Sequence, residues 1–284
     1  MSTYKQTIAV VTKLLLVHCP KVLTTIITDY CYPVFEKITC DWKTDNKKLT
    51  TEPPLDAVWF KRFNNIDFFT VDGVSLGTMP LCCITSLDDF HLVITESKMF
   101  VAQLIWGNVS YGWQVTIFET KNSKVGVAGS IIIMTERNAL FRHNGNQLAI
   151  IERGSYYLLN NEQPIAFNVR VIDTVKCGSL YFVLGVNKNQ FQVAVYDYTG
   201  RVFLYSFQLY SDSVPLFITA TDDHVILLTE DQAGHWIELY TAQGYFISRS
   251  VGPSSFERIR ARDQHLLIDS MTGCDVYQQV WAID

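Results

Sequence analysis

Apolar residues occur along this chain in short runs, cut at regular distances by Asp, Asn and Gly. The stretch from Phe217 to Arg249 is the clearest case. Phe217-Ile218, Val225-Ile226-Leu227-Leu228, Trp236-Ile237-Glu238-Leu239-Tyr240 and Tyr245-Phe246-Ile247 are separated by Asp222-Asp223, by Glu230 to Gly234 and by Thr241 to Gly244. Such runs are too brief for helices. The Asp and Gly residues between them supply the backbone conformations of tight turns, so the stretch predicts four antiparallel strands forming one small sheet. Elsewhere the pattern predicts neither a long helix nor a linker dividing two domains.

The unit recurs. Tyr196 and Gly200, in Val195-Tyr196-Asp197-Tyr198-Thr199-Gly200, return as Tyr240 and Gly244, 44 residues later. Fainter copies lie at Phe69 to Val74, Ile117 to Thr120, Tyr157 to Asn160, Val280 to Ala282 and Ile27 to Tyr30. Taking Thr28, Phe69, Phe118, Tyr157, Tyr196, Tyr240 and Trp281 as markers, the mean step is about 42 residues, the size of a four-stranded unit. A second element, an acidic turn before an apolar strand, joins Thr85–Glu96 with Thr219–Glu230 and, more weakly, Ala261–Asp269. Leu180 to Leu184 fits as the same strand in the unit between.

An isolated sheet of this kind cannot cover both of its faces, but a closed circle of copies can. The final marker, Trp281, leaves no room for a last strand before the C-terminus, so Thr7 to Val11 is expected to supply it by pairing across the chain ends. Two segments interrupt the spacing. The hairpin between Trp106 and Trp113 is longer than the others and is expected to project from its sheet. Asp41 to Pro54 is the most polar stretch and is expected to be an exposed loop.

The order of apolar strand, Asp-rich turn, apolar strand, acidic turn with Gly, strand ending in Tyr or Trp, and Thr-x-x-Gly resembles the repeat of WD40 and related β-propeller proteins. The resemblance covers about three quarters of the chain and leaves residues 1–60 loosely fitted. Gly-His occurs once within it, at Gly234-His235, and no strand closes on Trp-Asp. It implies an all-β fold: a single β-propeller over residues 1–284, with seven four-stranded blades closed by the N- and C-terminal segments. It also implies a non-enzymatic interaction scaffold or complex subunit, binding a protein or peptide through loops on one face of the disc.

Composition narrows the setting. Of 284 residues, 48% are hydrophobic and 18% charged, enough apolar material for a large core and too little charge for a disordered chain. A net charge of −5 argues against generic binding to nucleic acid or an anionic membrane. The seven cysteines are scattered, without a CxxC or a Cys/His cluster, so neither a metal site nor a disulfide framework is expected and the chain is assigned to the cytoplasm or nucleus. Thr7 to Val17 imitates the apolar core of a signal segment, but Lys13 interrupts it and no small-x-small site follows, so a buried strand pair is expected there. No run is long enough for a membrane helix.

No nucleophile elbow, phosphate loop, dinucleotide fingerprint or zinc-protease motif is present, so no catalytic residue and no cofactor is assigned. The paired acids Asp88-Asp89 and Asp222-Asp223, with His91 and His224 close by, read as turn construction. Two groups remain as candidate partner contacts. Trp106, Tyr111 and Trp113 flank the long hairpin, where exposed aromatics would anchor an interface. Arg258, Arg260 and Arg262 alternate, which on a strand places them on one face, suited to an anion or an acidic peptide unless nearby carboxylates neutralise them. The competing reading is a propeller enzyme or ligand-binding protein whose site lies in the central channel and takes a glycan or a small anion. It would require Asp, His and Arg from several blades to converge there.

Overall fold

The computed structural model describes residues 31–283, except for residues 39–41, 44–46, 50–52, 55, 63–64, 81–89, 96–97, 107–110, 122–123, 135–138, 145–146, 160–163, 198, 211, 222, 257, 263 and 271–272. At some strand positions only the backbone is described. Thr7 to Val17 and the Thr28 marker lie outside the described residues.

The described chain is a single all-β propeller of six blades, not seven. The first strand, β1 (Cys31–Ile38), belongs to the last blade. Blade 1 contains β2 (Val58–Arg62), β3 (Asn65–Phe69) and β4 (Ser75–Pro80). Blade 2 contains β5 (Phe90–Ile94), β6 (Lys98–Trp106), β7 (Tyr111–Lys121) and β8 (Lys124–Ile133). Blade 3 contains β9 (Leu140–Asn144), β10 (Gln147–Glu152) and β11 (Ser155–Leu158). Blade 4 contains β12 (Arg170–Cys177), β13 (Leu180–Asn187), β14 (Gln190–Asp197) and β15 (Phe203–Gln208). Blade 5 contains β16 (Val214–Ala220), β17 (His224–Asp231), β18 (Gly234–Thr241) and β19 (Phe246–Val251). Blade 6 contains β20 (Arg258–Arg262), β21 (His265–Asp269) and β22 (Cys274–Ile283), with β1 as its outer strand.

All strand pairs within the blades are antiparallel. The inner strands β5, β9, β12, β16 and β20 form an arc of successive contacts, and β2 is the inner edge of blade 1, between β20 and β5 in blade order. Among the described residues blades 1 and 3 have three strands each, with single bridges at their outer edges. Ile165 forms a single bridge to Tyr156 in blade 3, and Lys48 pairs with Thr78 beside β4 in blade 1.

Central strands show why their sequences read as unbroken apolar runs: both faces are buried, so alternation is lost. On β17, Ile226 and Leu228 pack toward blade 6, while Val225 and Leu227 pack toward blade 4. On β13, Phe182 and Leu184 pack toward blade 5, while Tyr181 and Val183 pack toward blade 3. Each junction between neighbouring blades holds its own core. The last of these joins Val58 and Phe69 of blade 1 to Leu267 and Val276 of blade 6 and shuts the circle at six.

The count of seven fails at the N-terminus. The residues taken there as the start of a separate unit lead into β1, which runs antiparallel to β22 from Cys31↔Ile283 to Ile38↔Val276. That segment closes the ring as expected of a chain end, but the strand is Cys31–Ile38. The turn register was legible: Gly200 and Gly244 occupy equivalent turns, and the φ values of 71° and 92° explain the glycines. The proposed match of Thr85–Glu96 with Thr219–Glu230 joins unlike places, because β5 is an inner strand and β17 a second strand. Asp41 to Pro54 is not uniformly an exposed loop. Leu49 is buried against Gly77, and Trp42 packs on Phe60 and Phe69, whereas Lys47 and Lys48 are exposed.

Ring closure depends on Phe35, which enters the core between blades 5 and 6 while its backbone N–H donates to Ser250 Oγ at 3.2 Å. Phe35→Ala is expected to cost about 3–5 kcal/mol in denaturant unfolding. Lys37→Ala, which removes only an exposed 2.8 Å pair with Asp275, should change stability by less than about 1 kcal/mol.

Candidate functional site

The inner strands bring charged side chains to the axis of the ring. Asp173 on β12 is fully buried and binds the Arg142 guanidinium of β9 through Nε at 2.6 Å and Nη2 at 3.2 Å. Its oxygens also accept from the backbone N–H groups of Thr174 at 2.7 Å and Ile218 at 3.0 Å. One carboxylate thereby ties blades 3, 4 and 5. Two β-bulges set this geometry: the β12–β13 register shifts between Val171 and Asp173, and the β16–β17 register shifts between Pro215 and Phe217. A bulge re-aims the following side chain. Phe217 lies beneath Arg142, with the guanidinium 5.3 Å from its ring centre, a cation–π contact.

Arg260 on β20 makes the corresponding pair on the other side. It donates to Asp269 through Nε at 2.9 Å and Nη2 at 2.8 Å, and Nη2 also reaches the Ala57 carbonyl at 3.1 Å. Burial opposes the Arg260 charge, but the Asp269 carboxylate outweighs it and holds the guanidinium above its usual range. Arg258 points to the same region and donates through Nη1 to the Leu92 carbonyl of β5, past the edge of blade 1. Burial, with Asp269 opposing and Arg142 and Arg260 adding repulsion, holds Arg258 down at about 9. His91 on β5 sits 5.0 Å from the Trp113 ring and 5.3 Å from the Phe141 ring. Burial, followed by the positive charges of Arg142 and Arg258, lowers its pKa to about 3, so it is neutral at pH 7.

The candidate contacts named from the sequence divide accordingly. Trp113 is not an exposed anchor: it is 1% exposed, packed edge-on against Phe141 in the core between blades 2 and 3. The hairpin is long, as expected, with Trp106↔Tyr111 as its last pair, but the side chains of Trp106 and Tyr111 lie outside the described residues. Arg258 and Arg260 do share a face, yet both are buried rather than offered to a peptide at the surface. The Arg262 side chain also lies outside the described residues. The sequence reading missed Arg142, Asp173 and Phe217. For Arg142 and Asp173 the signal was a charge directly after apolar residues, in Leu140-Phe141-Arg142 and Val171-Ile172-Asp173. Among the described residues, no three His, Cys, Asp or Glu gather as a metal site, and no helix is long and apolar enough to cross a membrane.

No protein family model matches the sequence, and no curated protein matches it. Solved structures overlay on it loosely. BamB from Moraxella catarrhalis is 10% identical over 86% of this chain and 100% of its own, with a TM-score of 0.43. The Cps50 (Swd1) β-propeller domain of Myceliophteria thermophila is 8% identical over 86% and 99%, with a TM-score of 0.44. Saccharomyces cerevisiae Sqt1 is 11% identical over 86% and 98%, with a TM-score of 0.42. Overlays this loose carry no statement about activity or partner.

A neutral, half-buried histidine makes stability depend on pH with a definite sign. The unfolded chain protonates His91 near the ordinary value of 6.5, whereas the folded chain resists until about 3. Within that window the unfolded state binds more protons, so stability falls as pH falls, by at most about 1.4 kcal/mol per pH unit. Above the window this group contributes no pH dependence. Urea unfolding of wild type and His91→Phe between pH 7 and pH 4 should show the wild type losing stability faster. Parallel curves would remove the assignment.

Proposed function

We propose that this propeller is a non-enzymatic interaction scaffold that binds a protein or peptide partner at its rim. The observation that supports this reading most is an exposed apolar seam where blades 4 and 5 meet. Tyr210 and Tyr245 are 76% and 74% exposed there, and Phe203 and Leu204 on the outer strand β15 are exposed beside it, Phe203 lying against Tyr196 of its own blade.

The seam is held rigidly from beneath. Tyr210 stacks on Phe246 with ring centres 4.6 Å apart, and Tyr205 donates to the Ala242 carbonyl at 2.8 Å. Phe207 lies against Gly244, where a Cβ would come within 2.2 Å of the ring. Exposed tyrosines on a fixed support lose little rotational freedom on binding and offer both a ring and a hydroxyl, the properties of interface anchors. β15 is also an outer strand of its sheet, so an extended peptide could add beside it through backbone hydrogen bonds. The reading places the protein in the cytoplasm or nucleus, where Cys177 and Cys274 remain thiols.

Affinity capture from native cells with the wild type and with a Phe203→Ser, Tyr210→Ser, Tyr245→Ser variant tests this. The variant should keep the wild-type melting temperature within a few degrees and lose at least one co-purifying chain, with affinity reduced tenfold or more. A variant that retains every partner at wild-type affinity would remove the seam as the contact surface.

A further inference from the structure

We propose that the axis of the ring holds a binding site for a small oxyanion, a carboxylate or a phosphate, with Arg258 as its principal donor. The inference is independent of the scaffold reading, because it concerns the axis and is tested on the purified chain alone.

Among the described residues the axial cluster brings together three guanidinium groups, those of Arg142, Arg258 and Arg260, and two carboxylates, those of Asp173 and Asp269. Both carboxylates are fully engaged. Asp173 receives Arg142 at both oxygens together with the Thr174 and Ile218 N–H groups. Asp269 receives Arg260 at both oxygens. His91 is neutral and brings no compensating charge. Among the described residues one positive charge of this cluster is therefore in excess, and it resides on Arg258.

Arg258 is 5% exposed, and its one hydrogen bond among the described residues is from Nη1 to the Leu92 carbonyl. Its Nε is buried without an acceptor, and the ion pairs of the cluster among the described residues are Arg142 with Asp173 and Arg260 with Asp269. A buried guanidinium without a counter-ion is strongly unfavourable, and an orphaned N–H adds the cost of its own desolvation. The edge of the guanidinium carrying Nε is one that a carboxylate or phosphate binds in a bidentate manner. A single bound oxyanion would satisfy the donor and neutralise the excess charge together. Arg258 bonds the carbonyl of Leu92, the residue that follows His91, so the neutral imidazole belongs to the same stretch of β5.

A purely mechanical role for Arg258, tying β20 to β5, makes a different prediction. Thermal unfolding is followed at pH 7.5 and constant ionic strength while sodium chloride is replaced by sodium acetate or sodium phosphate. In the wild type the midpoint should rise saturably with one of the two anions, and calorimetric titration should give a stoichiometry of one. Acetate alone would identify a carboxylate site, phosphate alone a phosphate site, and either outcome supports the proposal. Arg258→Gln should abolish the rise, while Arg201→Gln, at an exposed position, should keep it. Should Arg258→Gln fail to fold, Arg258→Lys retains the charge without the fork and should weaken binding at least tenfold. No saturable response of the wild type to either anion would overturn the proposal. So would a response that persists unchanged in the Arg258 variants.

Discussion

The constraint that shapes this molecule is that its sheets are apolar on both faces, so no blade can exist without a neighbour on each side. β17 makes this concrete: Ile226 and Leu228 are covered by blade 6, and Val225 and Leu227 by blade 4. Removing either neighbour would expose a row of aliphatic side chains, each worth about 1.5–3 kcal/mol of burial. A linear stack would leave two such faces open. Bending the stack into a circle covers them, and the circle must then be held shut where the chain crosses it. The antiparallel pairing of β1 with β22 is that closure, reinforced by Ser248 and Ser250 of blade 5, which hydrogen-bond the β1 backbone at Pro33 and Phe35.

Closing the circle creates a second problem at its centre. Inner strands converge there, and side chains facing the axis have no opposing sheet to pack against. Long side chains that can span the gap and hydrogen-bond on arrival meet this geometry better than short aliphatic ones. Arg142 reaches Asp173 in the next blade, and Arg260 reaches the Ala57 carbonyl across the junction with blade 1. The bulges before Asp173 and Phe217 aim these side chains inward without breaking the strands that carry them. Asp173 accepts four hydrogen bonds and so tolerates complete burial, which an unpaired carboxylate would not.

Much of this was legible in the sequence. Turn glycines and strand-ending tyrosines repeat because φ > 0 and inter-blade burial recur at the same slot in blades 4 and 5, so Tyr196/Gly200 and Tyr240/Gly244 set the register correctly. The blade number was not legible, because a closing strand and the opening of a new blade look alike locally; only long-range pairing across some 240 residues assigns Cys31–Ile38 to blade 6. Trp113 was misread for a related reason. An aromatic beside a long turn projects into solvent or folds inward according to the strand's pleat, and on β7 the pleat turns Trp113 onto Phe141. The arginine stripe was read correctly as one face of a strand. That its face met the axis required the position of β20 in the ring, which its own residues do not encode.

The axial charges also bear on why this centre is polar at all. Replacing a buried ion pair by apolar groups of similar volume is often neutral or stabilising, so folding alone gives no strong reason to place three arginines there. Arg142 and Arg260 can be rationalised as connectors, since each links separate blades through a carboxylate or a carbonyl. Arg258 differs. Its bond to the Leu92 carbonyl engages Nη1 alone, while the guanidinium has no ion-pair partner among the described residues and its Nε has no acceptor. A side chain that costs the fold more than its one hydrogen bond returns is better understood as serving something that enters the axis than as part of the frame around it.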